Sequence, residues 1–254
     1  MESDTKEVEY WNACARGDLR KVKDLLIQSD DIINWKDPSY LNYTGLHIAC
    51  ENGLADFVDY IIKSPQIRVN QGDVDGRTSV FIACENGREE IVKILLKDGR
   101  IDVNQGKDLG ITPLLIACEK GKEEIAEMLL KDGRGIEVNQ ADDYGRAPLW
   151  IACLHGKEEL VEILLEYGRG IDLNQQDKWG ITPLGLACKD GKEEIVEMLL
   201  KHGNEIDVNK ADNQRKTPLW VACSDGNERI VKVLLREGRG FDLAKKSWKM
   251  VLGK

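Results

Sequence analysis

Apolar residues return along the chain with one long period. Pairs of neighbouring aliphatic residues recur every 34 to 36 residues, and a cysteine keeps the same spacing. The pairs begin at Leu25, Ile61, Leu95, Leu129, Leu164, Leu199 and Leu234, and the cysteines stand at positions 14, 50, 84, 118, 153, 188 and 223. A period of this length predicts a solenoid of small units, each of which needs its neighbours to bury its apolar face.

Each period contains the signals of two short helices and a turn. In the stretch "TPLLIAC" (112–118), Thr112 suits a helix cap and Pro113 suits the first helical turn. The apolar run ends at Gly121, a residue that favours a left-handed helix stop. The following "KEEIAEMLLK" (122–131) carries apolar residues on one face and charges on the other, which predicts an amphipathic second helix. The segment 136–146 then indicates extended chain and an Asp/Gly-rich turn.

These phrases resemble the ankyrin repeat. The motifs are "TPLLIAC", "TPLGLAC" and "TPLWVAC" for the first helix, "GKEEIVEMLL" for the second, and "DVN" with "DxxG" for the finger. The resemblance implies a mainly α-helical solenoid of helix-turn-helix units with short β-fingers, folded as a single domain over residues 1–254. The expected units are an N-terminal cap at 5–34, then 35–70, 71–104, 105–139, 140–174, 175–209 and 210–243, with 244–254 as a tail or partial cap.

Three features depart from the family pattern. The histidine that usually precedes the core of the first helix occurs only as His47. The linkers "KDGR", "KDGRG" and "EYGRG" are one or two residues longer than the common form. Arg215 stands in the last finger where glycine is expected, which leaves the geometry of that turn open.

Charge and composition narrow the function classes. The net charge is −9 with acidic and basic residues intermixed, which argues against nucleic acid as a partner. The N-terminus lacks the basic start and apolar core of a signal peptide, and no apolar run approaches the roughly 18–20 residues of a membrane helix. We therefore expect a soluble, cytoplasmic monomer that does not engage a membrane, with the nucleus as the alternative compartment.

The cysteines and the other reactive residue types do not form a catalytic or metal-binding pattern. Packed helices lie about 8–10 Å apart, beyond the roughly 7 Å between Cα atoms that a disulfide spans. Seven cysteines at the repeat period therefore predict buried core thiols in a reducing compartment, and a metal string or redox sensor is the alternative. With three histidines, no nucleophile motif and no phosphate-binding glycine loop, the sequence predicts no enzyme, no cofactor and no metal.

Arginines recur in the linkers between units, at positions 100, 134, 169 and 239. The prediction is that each stabilises a helix C-terminus beside its glycine, and a row of arginines for acidic ligands is the alternative. The terminal segment 245–254 carries four lysines and no acidic residue. It is interpreted as a solvated tail, with an anionic partner as the alternative.

Positions that vary between units are the candidates for binding, because structural positions repeat. The resemblance implies that finger tips and first helices line a concave groove, the usual partner surface of the family. Aromatic residues gather there in the fifth to seventh units, a composition typical of interface hot spots. The expected partner-binding residues are Leu109, Tyr144, Arg146, Trp150, Leu154, His155, Trp179, Ile181, Gly185 and Trp220.

Gly185 is the most unusual of these positions, since the equivalent residues on both sides are Trp150 and Trp220. One hypothesis is a notch with Gly185 as its floor and Trp150, Trp179 and Trp220 as its walls. The other is that the rings pack on one another and Gly185 makes room for one of them. The leading functional hypothesis is a non-enzymatic module that binds a protein or peptide in the groove. The alternative is an engineered or consensus-like scaffold without a native ligand.

Overall fold

The computed structural model describes residues 2–202 and 205–237, with side chains described for 6–202 and 205–236. These residues form two compact units that meet in the sequence between Ile136 and Glu137. Arg239 and the terminal segment 244–254 lie outside the described residues, and the single domain and the unit boundaries expected from the sequence stay predictions.

The first unit consists of four helical hairpins. Its helices are α1 Glu2–Arg16, α2 Leu19–Gln28, α3 Gly45–Asn52, α4 Ala55–Ile61, α5 Ser79–Glu85, α6 Glu89–Leu96, α7 Pro113–Lys120 and α8 Glu123–Lys131. The first helices of successive hairpins pack side by side in the order α1, α3, α5 and α7, and the second helices α4, α6 and α8 do the same. Two short 3-10 helices, Asp30–Asn34 and Asp108–Gly110, lie between hairpins.

The second unit contains three hairpins in the same arrangement. Its helices are α9 Pro148–His155, α10 Glu158–Tyr167, α11 Pro183–Lys189, α12 Glu193–His202, α13 Pro218–Ser224 and α14 Glu228–Glu237. Helix α11 packs between α9 and α13, and α12 packs between α10 and α14. The helical solenoid architecture predicted from the period is confirmed.

The first helices begin and end where the sequence places the caps. The hydroxyl oxygen of Thr112 accepts the amide hydrogen of Leu115, and Pro113 occupies the first turn of α7. Gly121 ends the helix in the left-handed region, with φ of 62°. Thr44, Thr78, Thr182 and Thr217 cap α3, α5, α11 and α13 in the same way. At α9 the equivalent residue is Ala147, and no side chain caps that helix.

The apolar residues that repeat from unit to unit are the buried ones. In α7, all residues from Pro113 to Cys118 are buried, whereas α8 buries only one stripe that includes Ile125 and Leu129. All seven cysteines are unpaired; six are buried and Cys223 is partly buried. Burial raises the pKa of the Cys118 thiol to about 12 and raises the pKa of its buried counterparts as well, which keeps these thiols protonated.

The fingers are tight turns, and the β-pairing that the resemblance implies is limited among the described residues. In the part of the chain that the structure describes, the one β-bridge joins Asp37 and Tyr43, at the base of the longer second finger. Neighbouring tips nevertheless share a backbone hydrogen bond: the amide of Lys178 donates to the carbonyl of Tyr144 (2.8 Å). Single bonds between tips satisfy part of the backbone without producing a continuous ladder, so a sheet does not form.

The last finger keeps this turn despite its arginine. Arg215 adopts the left-handed conformation, with φ of 64°, that glycine takes in the other tips. Its amide donates to the carbonyl of Asp212 at 2.8 Å, and the Asp212 carboxylate accepts the amides of Gln214 and Lys216. The side-chain bonds hold the turn, so the strained residue is tolerated.

Asparagines and arginines connect one hairpin to the next. In the second unit, Asn139 donates to the carbonyl of Gly170 and accepts the amide of Asp172, and Asn174 repeats the pattern with Glu205 and Asp207. Arg134 donates to the carbonyl of Leu96, the last residue of α6, and to that of Asp98 two residues later. The linker arginine therefore stabilises the end of the second helix in the preceding hairpin. The sequence predicts instead that it stabilises the helix end beside its own glycine.

Candidate functional site

A cleft of about 640 Å³ opens between the fingers and the first helices of the second unit. Trp150, Leu154, Trp179, Ile181 and Trp220 all line it. Its remaining walls come from the same face: Asp177, Leu186, Lys189, Asp190, Asp212, Asn213, Gln214, Lys216, Val221, Ser224 and Asp225. No lining residue lies on the second helices α10, α12 or α14, so the cleft belongs entirely to the face that varies between units.

The three tryptophans contribute to the cleft in different ways. Trp150 is buried, with 6% of its surface exposed, and its indole N–H donates to the carbonyl of Ile181 (3.1 Å). Trp179 on its finger tip and Trp220 on α13 are 51% and 37% exposed. Trp150 is therefore a fixed part of the framework, while Trp179 and Trp220 leave much of their ring surface exposed in the cleft.

Lys178 links the cleft to the tip of the preceding finger, where Tyr144 lies. The ammonium group of Lys178 lies 3.9 Å from the ring centre of Tyr144 and 4.5 Å from that of Trp179. Arg146 lies over the same tyrosine ring at 5.0 Å. These cation–π contacts orient Tyr144 and Trp179 along one row of tips, although Tyr144 and Arg146 do not line the cleft itself.

Gly185 lies beside the cleft, not at its floor. It borders a separate cavity of about 30 Å³ that shares Ile181, Lys189, Asp212, Lys216 and Val221 with the cleft. A Cβ atom added there would meet only Thr182 Oγ1 at 3.3 Å and Ile181 Cγ2 at 3.9 Å. No aromatic ring fills the space that the glycine leaves, because Trp150 is tied to Ile181.

The two other expected residues are apart from this group. His155 is exposed at the end of α9 and does not line the cleft. Leu109 belongs to the first unit, where it is 53% exposed on a finger tip and has a left-handed backbone with φ of 68°.

The charged residues of the cleft were not among the expected site residues. Four carboxylates line it, at positions 177, 190, 212 and 225, against the two ammonium groups of Lys189 and Lys216. Lys216 lies 4.9 Å from the Trp220 ring centre. The cleft therefore combines exposed indole surface with an excess of negative charge, which suits an occupant with apolar and basic groups.

The residues that the structure describes include neither a candidate metal centre nor a candidate membrane span. Among the described residues, no group of three or more histidine, cysteine, aspartate or glutamate side chains is placed to hold a metal ion. Within those same limits, no helix combines the length and the apolar character needed to cross a membrane.

Comparisons with known proteins agree with the fold. A family model described as ankyrin repeats (3 copies) matches residues 11–107, 100–177 and 167–247. The crystal structure of the ankyrin repeat domain of Bcl-3, described as a unique member of the IkappaB protein family, is similar with 26% identity and a TM-score of 0.78. That alignment covers 90% of this chain and 97% of the other. No curated protein matches the sequence. Because the family model spans nearly the whole sequence, the chain belongs to the ankyrin-repeat family.

Proposed function

We propose that this chain is a non-enzymatic interaction module that holds a protein partner in the cleft of its second unit. Ankyrin repeats in general mediate protein–protein interaction. The observation that carries the proposal is the exposure of Trp179 and Trp220 on one cleft. The proposed contact residues are these two tryptophans with Leu154 and Ile181, while Tyr144 and Arg146 extend the surface along the tips.

The distribution of variable residues favours this proposal over an engineered scaffold without a ligand. Scaffold needs at a finger tip are met by small polar residues, since the aspartate of the turn already satisfies the backbone. In the finger of Trp179, the Asp177 carboxylate accepts the amides of Trp179 and Ile181 at 3.0 and 2.7 Å. The indole ring takes no part in these backbone hydrogen bonds. Its large exposed surface therefore suits a partner better than the fold.

Quantitative affinity purification from a cell that expresses the chain tests the proposal. Three baits are compared: the wild type, a variant with Trp179→Ala together with Trp220→Ala, and a control with Tyr60→Ala, which removes a ring of 37% exposure from helix α4. If the partner binds in the cleft, its recovery with the tryptophan variant should be at least tenfold lower than with the wild type, because truncated hot-spot rings cost about 2 kcal/mol or more. Its recovery with the control should be unchanged. Equal recovery by all three baits, each shown to be folded by circular dichroism, would refute the cleft as the binding surface.

The unpaired thiols support a proposal for the cellular compartment of the protein. Six buried, unpaired cysteines suit a reducing environment, so we place the protein in the cytoplasm, with the nucleus as the alternative. We also propose that the chain acts as a monomer.

A further inference from the structure

The fingers pair an aspartate with the residue four positions later. In two fingers that residue is arginine, and its guanidinium lies on the second carboxylate oxygen. Arg77 Nε lies 2.8 Å from Asp73 Oδ2, and Arg146 Nε lies 2.7 Å from Asp142 Oδ2. Both carboxylates are buried, with 0% and 1% of their side-chain surface exposed. Inside a finger, the oxygen therefore has a guanidinium as its natural partner.

Two other fingers carry isoleucine at the later position, and they differ in the earlier one. Ile111 follows Lys107, so in that finger both members of the pair are replaced. Ile181 follows Asp177, so the aspartate is kept and its arginine is lost. Asp177 is 5% exposed and its Oδ2 atom is buried without a hydrogen-bond partner. Among the described fingers, this one holds a buried carboxylate oxygen that the pairing leaves unmatched.

The unmatched oxygen belongs to a residue that lines the cleft with Trp179 and Trp220. A buried oxygen without a partner costs free energy. Five other buried side-chain atoms of the described residues also lack a partner, but none of them belongs to a residue of the cleft. The retention of this oxygen beside exposed rings therefore supports a partner from outside the chain. Two of the nearby lysines contact rings: Lys178 lies over the Tyr144 and Trp179 rings, and Lys216 lies over Trp220. Lys189 lines the same cleft, and no ion pair joins it to Asp177 among the described residues. Three further carboxylates in the same cleft add negative charge around the site.

We propose that the cleft recognises an arginine side chain of the partner: a rearrangement of the side chains that cover Asp177 Oδ2 lets the guanidinium take the place there that Arg146 fills at Asp142. This inference rests on the proposed function and names the chemistry of that site. Arginine fits better than lysine because its planar group can face an indole ring while it donates to a carboxylate. Ile181 and Leu154 would contact the aliphatic part of the same side chain.

The test uses the whole chain and the probe acetyl-Gly-Arg-Gly-amide, followed by the indole N–H resonances of Trp179 and Trp220 in NMR. The expected response is a saturable shift with a dissociation constant on the order of 1 mM. The citrulline peptide, which has the same shape without the charge, and the lysine peptide should each bind at least about tenfold more weakly. Lack of saturation by the arginine peptide, or an equal response to citrulline or lysine, would overturn the proposal.

Three variants assign the response to Asp177. Asp177→Asn keeps the oxygen that accepts the Trp179 and Ile181 amides, and it should weaken the arginine peptide by about tenfold or more. Ile181→Arg supplies the missing guanidinium from within the chain and should abolish binding. Ile111→Arg, placed opposite Lys107 in the first unit, should leave binding unchanged. Full binding by folded Asp177→Asn would contradict the assignment.

The outcomes separate this inference from the proposed function. If the tryptophan variants lose the partner but the arginine peptide does not bind, only the arginine site is wrong. If the tryptophan variants keep the partner, the cleft is not the binding surface and the proposed function fails, whatever the peptide does.

Discussion

Replacing Arg146 by isoleucine should create in one finger the unmatched carboxylate that the next finger already has. In the native protein, Arg146 Nε and Nη2 lie 2.7 and 2.6 Å from Asp142 Oδ2. The Asp142 side chain is 1% exposed, so water cannot replace the lost donors without a rearrangement of the turn. The variant therefore measures what an unmatched finger oxygen costs in stability.

The expected cost is about 1–2 kcal/mol. Loss of hydrogen bonds to a buried charged group costs about 1.5–3 kcal/mol. The lower part of that range applies because Arg146 is 27% exposed and because Asp142 Oδ1 keeps the amides of Tyr144 and Arg146. Isoleucine also recovers some apolar contact, which reduces the net loss further.

Urea unfolding of four proteins checks this value: wild type, Arg146→Ile, Asp142→Asn and the double variant. In the Asp142→Asn background the charge is already gone, so Arg146→Ile should cost less than half as much there. Circular dichroism and tryptophan fluorescence are followed together, since repeat arrays can lose cooperativity and only coincident transitions give a free energy. A single-variant cost below about 0.5 kcal/mol, or no coupling in the cycle, would refute the reasoning.

Three further predictions concern the core. Burial lowers the pKa of His47 to about 4 from 6.5, so the unfolded chain binds more protons between those values and stability falls as the pH drops through that window. Urea titrations from pH 7 to 4 should show wild type losing on the order of 3 kcal/mol more than His47→Gln, and equal losses would contradict this. Thiol labelling followed by mass spectrometry should modify the partly buried Cys223 first and the fully buried Cys84 only after denaturant is added, and the reverse order would show the burial to be wrong. Gly45→Ala places a Cβ atom 2.6 Å from Cys14 Sγ and 3.1 Å from two atoms of Tyr10, and it should cost about 1–3 kcal/mol in thermal or urea unfolding. The cost should be smaller in the Cys14→Ala background, where the Tyr10 contacts remain, and an unchanged cost would exclude the clash with Cys14.

The repeated part of the fold can be predicted from the sequence because its causes are local. Thr112, Pro113 and Gly121 act on the helix that contains them, so their types and spacing fix its beginning and end. The extent of β-pairing in the fingers is harder to predict, because it depends on how many hydrogen bonds neighbouring tips share, and the sequence of one finger does not contain that information. The arginine at 134 was assigned to a helix terminus, but which helix it contacts depends on the packing of successive hairpins.

The site was partly predictable for the same reason. Residue type and position identify Trp179 and Trp220, because large rings on a variable face are unnecessary for the scaffold. The position of Gly185 depends on the side-chain conformation of Trp150, whose indole donates to Ile181 across 31 residues. Asp177 was overlooked although the signal is in the sequence: it is the aspartate whose partner four positions later has become isoleucine. That signal appears only when the aspartate position and the position four residues later are compared together across the repeats.

Site-specific photo-crosslinking in cells tests the central claim most directly. A benzophenone amino acid replaces Ser224, an exposed residue that lines the cleft, or Tyr60 on helix α4 as the control. If the partner occupies the cleft, irradiation should join it to position 224 and not to position 60, and Trp179→Ala in the same chain should abolish the crosslinked product. A partner that crosslinks at position 60 alone, or at position 224 undiminished by Trp179→Ala, would contradict the account.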